Sequence, residues 1–460
     1  MISDRLFKST LLNTDSYKVG MWQQYRPGTE FVYSYIESRG GRYDEIVMDG
    51  YRVFIQEYMS TPFTLEDIEE ANKYWTAMGE NFNKSGFIRM HEKYHGYWPV
   101  EIRAAPEGTV IPVKAPVLTI VNTDPEFPWA TTWLETPMLR AIWFASTVAT
   151  NSREIQKIIL GYLQKDGNEA SLPYKLHDFG ARGASSFESS GIAALAHAKT
   201  GAKGSDTMTG NLFAMKYYGE ALPILTSISA TEHSTVTSWG RENENDAYRH
   251  MFQQFGKPGK IWACVSDSYN IYEAGHMWGR MAPEIIASGS ILVVRPDSGD
   301  PLVVLPKLVH ILETYFGSTV RNGYRLLNSV RVIWGDGITA LTIDSILRLM
   351  VDVLGYSADN FAFGQGGNLQ QNVTRDDQKW AMKCSAAFIN GEWIDVFKDP
   401  ITDPGKTSKK GLVTTYVDVE GIFSVGALDW RKDLLEAIYV QGPLEIKDTI
   451  ADIQARCKLV

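Results

Sequence analysis

"ILVVRPDSGDP", residues 291–301, decides how the rest of the chain is read. Four aliphatic residues run unbroken into Arg295, and Asp297 follows two positions later. A short apolar run ended by a polar turn suits a strand buried on both faces. Gly299 then allows a sharp turn, Asp300 offers a carboxylate to cap a helix, and Pro301 fits a first helical position, where no N–H is needed. Beyond it Leu305, Leu308, Val309 and Leu312 recur on one helical face. The stretch reads as strand, charged mouth, helix.

The same unit recurs from about residue 172 to about 375. The apolar runs are "LPYKLHDFG", "PILTSISATEH", "KIWACVSDS", "VRVIWGDG" and "NFAFGQGG", with a polar turn, "KGSDTMTG", between the first two. Ile343, Ile346, Leu347 and Met350 make another helical face, and Gly355 supplies its stop. Strand–helix alternation implies parallel strands joined by crossovers, and six or seven such units in a row favour a closed barrel over an open sheet. Outside this region "FVYSYIE" (31–37), "GTVIPVKAPVLTIVNT" (108–123), "MKCSAAFING", "WIDVFKDP" and "GLVTTYVDVEG" read as strands, with a Lys-rich turn, "PGKTSKKG", among the last of them. The expected fold class is α/β, a parallel (β/α) barrel-like domain with a second, mostly β domain built from both chain ends. The expected boundaries are 131–375 for the barrel and 31–130 plus 376–460 for the second domain.

Composition narrows the function. A net charge of −9 on 460 residues argues against nucleic acid as a partner. The three cysteines, Cys264, Cys384 and Cys457, are far apart and signal neither a disulfide framework nor a zinc site. The N-terminus has no apolar leader and no stretch suits a membrane span, so a soluble, cytoplasmic protein is expected.

Polar or glycine residues end every barrel run: Asp178-Phe179 with Arg182, Glu232-His233, Asp267-Ser268, Arg295 with Asp297, Gly335-Asp336-Gly337, and Gly364-Gln365-Gly366-Gly367. One such residue is commonly a solvated turn. Six sets at the C-terminal strand ends of a barrel make a rim where such folds place their sites. The glycines of "GDG" and "GQGG" allow backbone N–H groups to approach an anion, although neither run is a Walker loop or a dinucleotide fingerprint. Arg182, Arg295, Arg375, Lys383 and Lys398 form a basic set in an acidic chain, suited to a polyphosphate. Asp297, Asp336 and Asp267 suit ribose hydroxyls or Mg²⁺, with ordinary salt bridges as the alternative. His233 is the one histidine at a strand mouth in a polar run, "SATEHSTVT", and could titrate or act as a nucleophile. Phe179 and Tyr17 could clamp a flat ring. Cys264 falls mid-strand and is expected to be buried and inert.

Taken together, "TDSYKV", "HDFGARG", "GSDT", "EHST", "SDSY", "RPDSGDP", "GDG", "FGQGG" with "TRD", and "FKDP" resemble the nicotinamide phosphoribosyltransferase family, a barrel-type, type II phosphoribosyltransferase family, over almost the whole chain. The resemblance implies a homodimer with shared sites, to which residues 1–30 contribute. It implies nicotinamide, 5-phosphoribosyl 1-pyrophosphate with Mg²⁺, and ATP as ligands, and nicotinamide mononucleotide and pyrophosphate as products. By that resemblance Phe179 stacks on one face of the pyridine ring and Tyr17 of a second copy on the other. Asp206 accepts from the carboxamide, while Arg295 and Asp297 hold the ring side and the ribose. Gly335, Asp336, Gly366 and Gly367 receive ribose and 5′-phosphate. Arg182, with Arg39, Arg375, Lys383 and Lys398 across the dimer, cradles pyrophosphate. His233 becomes the phosphohistidine that couples ATP hydrolysis to turnover, and Asp267 stands near the metal. Ala181 departs from a frequent Tyr, Ala263 and Ala381 depart from Ser, and the segment after Arg39 is short.

Beside the role that the resemblance implies for Asp206, the residues alone offer another reading, an N-cap for a helix over 207–219. Two further readings stay open: a nicotinate phosphoribosyltransferase, and a non-catalytic dimer that binds a phosphorylated ligand or a partner protein.

Overall fold

A computed structural model of the protein describes residues 2–402, 407–421, 423–429 and 433–459. Three residues of the Lys-rich turn, Pro404, Gly405 and Lys406, lie outside them. The chain forms two compact units, 1–150 with 373–458, and 151–372. The break at 150/151 falls inside the helix Glu135–Asp166, where no Gly or Pro announces it, whereas the expected barrel began at 131.

The second unit carries a parallel sheet, in spatial order Leu176–Asp178, Phe361–Gln365, Val330–Trp334, Ile291–Arg295, Ile261–Val265, Ser229–Ala230. Its two ends are joined through the segment expected to be a polar turn. Ser205 bridges Asp178 and Gly204 bridges Thr226, both in parallel sense. The bonds are backbone ones: Asp178 N–H to Gly204 O, Asp206 N–H to Asp178 O and Ser205 N–H to Thr226 O. "KGSDTMTG" thus supplies a strand position and closes the ring, which its Gly and Ser content had concealed.

Alternation along each strand explains the packing. Ala263, Val293 and Ile333 point to the axis and pack with Ile228, Ala362 and Phe179. Their neighbours Trp262, Cys264, Leu292, Val294, Val332 and Trp334 face outward into a larger core with the surrounding helices. The helix Pro301–Phe316 begins as the sequence expects, with the Asp300 side chain accepting from Leu302 N–H and Pro301 at the first position. Leu305, Leu308, Val309 and Leu312 are all buried. Cys264 is buried, and burial pushes its thiol up to about 12, so it is no nucleophile at neutral pH.

The first unit is organised by a six-stranded antiparallel sheet. Thr29–Ser38, from the N-terminal part, pairs with Trp380–Ile389, from the C-terminal part, and both chain ends share one sheet. Leu65–Met78 and Lys84–Tyr94 are helices whose buried faces join its core. Aromatic rings cluster within that core, with Phe87 edge-on to Trp129 at 4.8 Å and to Trp133 at 5.0 Å.

Candidate active site

Every barrel strand delivers its last residues to the same end, so side chains far apart in sequence meet there. A cavity of about 710 Å³ is lined by Phe179, Arg182, Asp206, His233, Arg295, Asp297, Gly335, Asp336, Gly366 and Gly367, ten of the residues singled out in the sequence. Ala181, Gly183, Thr207, Glu232 and Ser234 complete its wall.

Phe179 leaves the strand end at Asp178, and its N–H bonds Gln365 O at 2.9 Å. Its ring crosses the strand Phe361–Gln365 at Gly364, where an added Cβ would overlap the ring. Gly364 therefore serves a close approach of side chain to backbone rather than an exposed amide. Gly335 has the same ring 3.7 Å from its own Cβ position, and Asp297 Oδ1 at 3.1 Å.

Asp206 is not a helix cap. Thr207 holds the N-cap position of the helix Met208–Tyr218, and no side chain caps it. The Asp206 side chain is exposed, and its Oδ1 accepts from Ser227 Oγ at 2.5 Å. One carboxylate oxygen is thus oriented and the other is left to the cavity.

Arg295 Nη2 donates to Asp297 Oδ2 at 3.1 Å, while the Arg295 Nε is buried and has no hydrogen-bond partner. An orphaned guanidinium N–H is costly unless a ligand or water supplies its acceptor. The two glycine loops are tied together beneath the cavity, because Gln365 Nε2 and Asn368 Nδ2 both donate to Ile338 O, at 3.3 and 2.9 Å.

His233 opens the short helix His233–Thr237 and is half-exposed, with Nε2 2.9 Å from Asp267 Oδ1. Asp267 does not line the cavity itself. Its Oδ2 accepts from Ser298 Oγ at 2.5 Å. Burial raises the Asp267 carboxyl, but Ser298, His233 and the Asp297 N–H together outweigh burial and hold it below the usual aspartate range. Ser298 and Ser227, which orient Asp267 and Asp206, escaped the sequence reading because isolated serines carry no periodic signal.

The remaining basic residues belong to the first unit. Arg39, Lys398 and the buried Lys18 lie close enough there to repel Lys383. Burial, followed by Lys398, Arg39 and Lys18, holds the Lys383 ammonium below the ordinary lysine range, against the opposing pull of Glu135. Lys18 is engaged with Glu135 at 2.5 Å, and exposed Tyr17 stands beside it, the ammonium 5.1 Å from the ring centroid. Arg375 is exposed and pairs with Asp376 at 3.6 Å. Ala381 is buried in the strand Trp380–Ile389, and Ala263 faces the barrel axis.

Among the described residues no group of three or more His, Cys, Asp or Glu gathers as a metal site, and no helix is long and apolar enough to cross a membrane.

Residues 174–441 match the model of the nicotinate phosphoribosyltransferase family, and residues 9–102 match the N-terminal domain of nicotinamide phosphoribosyltransferase. A nicotinamide phosphoribosyltransferase of Xanthomonas campestris is 48% identical over 413 residues, covering 89% of this chain and 87% of its own. One from Acinetobacter baylyi is 29% identical, covering 98% and 97%. The fold matches a nicotinate-nucleotide pyrophosphorylase from Pyrococcus furiosus with a TM-score of 0.63 at 15% identity, over 99% of this chain and 96% of that one. It also matches human nicotinic acid phosphoribosyltransferase with a TM-score of 0.59 at 17% identity, over 97% and 93%.

Proposed function

The chain belongs to the nicotinate phosphoribosyltransferase family, and we propose that it transfers the phosphoribosyl group of 5-phosphoribosyl 1-pyrophosphate to nicotinamide in NAD salvage. The products are nicotinamide mononucleotide and pyrophosphate. The observation that carries this reading is the meeting of an aromatic wall, an oriented carboxylate, two arginines and two glycine loops in one cavity.

The pyridine nitrogen already holds a lone pair, so no general base is needed. The C1–N bond forms as the C1–O bond breaks, and the electron pair leaves with pyrophosphate. Phe179 stacks on the ring, and Asp206 accepts from the carboxamide N–H₂, which fixes the nitrogen toward C1. Arg295 and Asp297 hold the ring side and the ribose, and the loops at 335–337 and 366–367 receive the 5′-phosphate. Arg182 grips the leaving pyrophosphate.

The cavity wall has four carboxylates, Asp206, Glu232, Asp297 and Asp336, against two guanidiniums, Arg182 and Arg295. A polyphosphate needs more positive charge than that. Mg²⁺ bound with the substrate would supply part of it, and such an ion needs only one or two protein carboxylates rather than a cage. Asp297, with Asp267 behind it, fits that demand. Arg39, Arg375, Lys383, Lys398 and the ring of Tyr17 come from a second copy of the chain in a homodimer.

His233 couples ATP. Asp267 takes its Nε2–H, which leaves the Nδ1 lone pair to attack the γ-phosphorus of ATP and release ADP; water later hydrolyses the phosphohistidine. A dianion there adds to the field that orders the metal and the leaving group.

Asp206 sets the preference for amide over acid. Against the carboxylate of nicotinate it meets a like charge, about 4 kcal/mol at about 4 Å for an effective dielectric near 20. Water at the open mouth screens part of this, so a preference of roughly tenfold to a hundredfold is expected. Competing nicotinamide against nicotinic acid, with pyrophosphate release and ADP formation measured with and without ATP, tests the reading. Equal use of both pyridines removes the assigned role of Asp206. No pyrophosphate release from either removes the enzyme.

A further inference from the structure

We infer that Asp178, which does not line the cavity, is a positioning residue that holds the ring-binding and phosphate-binding halves of the site in register; the inference rests on the reaction proposed above. Asp178 ends the strand Leu176–Asp178 and is fully buried. Its Oδ1 accepts from Gly180 N–H at 2.8 Å and from Gln370 Nε2 at 2.6 Å. Its Oδ2 accepts from Ser205 Oγ at 2.9 Å, and Ser205 Oγ in turn accepts from Thr207 N–H at 2.9 Å. Among the described residues no cation is paired with it, so neutral donors alone satisfy this buried side chain.

Those donors come from three separate loops. Gly180 belongs to the turn carrying Phe179 and Arg182. Ser205 precedes Asp206, whose own N–H bonds Asp178 O at 3.0 Å. Gln370 ends the helical turn begun by Gly367. Phe179 and Asp206 would orient the pyridine, and Gly366 and Gly367 would receive the phosphate of the sugar. Bond formation needs ring nitrogen and C1 aligned, and that alignment depends on how the two halves stand to one another, not on either alone.

A residue that sets such a register shows in kcat rather than in binding, because each substrate still meets its own half of the site. Misplacement by about 1 Å costs on the order of a hundredfold. Gln370 gives the cleanest test. Its Oε1 is buried without a partner, and its stem packs on Gly180, where an added Cβ would stand 2.5 Å from Cγ and Cδ. Gln370→Met keeps that packing and removes one donor to Asp178. Asp178→Asn keeps Oδ1 for Gly180 and Gln370 and turns its amide toward Ser205, which can accept.

The experiment measures kcat, both KM values and thermal melting for wild type, Gln370→Met, Asp178→Asn and Asp178→Ala. The expected result for Gln370→Met is a kcat lowered roughly tenfold to a hundredfold with both KM values within about threefold. Asp178→Asn is expected to retain kcat within about fivefold, and Asp178→Ala, where it folds, to fall below Gln370→Met. A folded Gln370→Met with wild-type kcat, or with an unchanged kcat and a raised KM for one substrate, overturns the inference. A wild type with no turnover of nicotinamide instead overturns the proposed reaction, so the two failures are told apart.

Discussion

At Asp267 three donors act on one carboxylate: Ser298, His233 and the Asp297 N–H. They hold its pKa below the unfolded value, so the folded state binds fewer protons at this position than the unfolded chain. Stability from it is therefore fully present above the ordinary aspartate value, about 3.9, and is lost as pH falls through the lower folded value. Melting curves of wild type and Asp267→Asn are expected to differ at pH 6 to 7 and to converge in acid. A gap that stays constant down to the lowest pH contradicts the account. The histidine at the same contact was legible in the sequence as the only one in a polar strand mouth; its partner's second anchor, Ser298, was not.

At the scale of the element, the strand Phe361–Gln365 shows how a local pattern and a tertiary demand share one segment. Its apolar residues mark it as a strand, and "FGQGG" marks its end as a turn. Nothing in that pattern distinguishes Gly364, which lies under the Phe179 ring, from Gly367, whose Cβ position is open. Gly364→Ala is expected to push the ring from its place and raise KM for nicotinamide roughly tenfold or more, with KM for the phosphoribosyl donor changed far less. Gly161→Ala, at an exposed helical position outside the cavity where an added Cβ meets no atom, serves as the steric control. Equal KM values for nicotinamide in the wild type and Gly364→Ala remove Phe179 as the ring's wall. The helix after Arg295 is the opposite case: Asp300, Pro301 and the face from Leu305 to Leu312 are read within a dozen residues, and the structure keeps every one of them.

For the whole molecule the proposed homodimer makes a genetic prediction. Arg295→Ala spoils a chain's own contribution, while Lys383→Ala spoils what it lends to its partner. Mixing and re-associating the two inactive variants gives hybrid dimers with one doubly altered site and one intact site. Half the dimers are hybrids and half their sites are whole, so roughly a quarter of wild-type activity is expected to return. A mixture as inactive as its parents shows that the basic set does not act across subunits. At this scale the parallel barrel and the sheet shared by both chain ends were legible from alternation of strand and helix signals. The break at 150/151 was not, because it lies within a continuous helix.

The sequence by itself determined the order of strands and helices, the charged and glycine-rich strand ends, and the family. Periodicity, capping and turn chemistry act between residues a few positions apart, and family motifs are strings. Only the tertiary structure decided that "KGSDTMTG" closes the barrel, that Asp206 faces the cavity instead of capping a helix, and that Gly364 makes room for Phe179. It alone joined Asp178 to Gln370, 192 positions away. Closure of a parallel barrel brings strand ends together whatever their separation along the chain, and no local signal records which of them will touch.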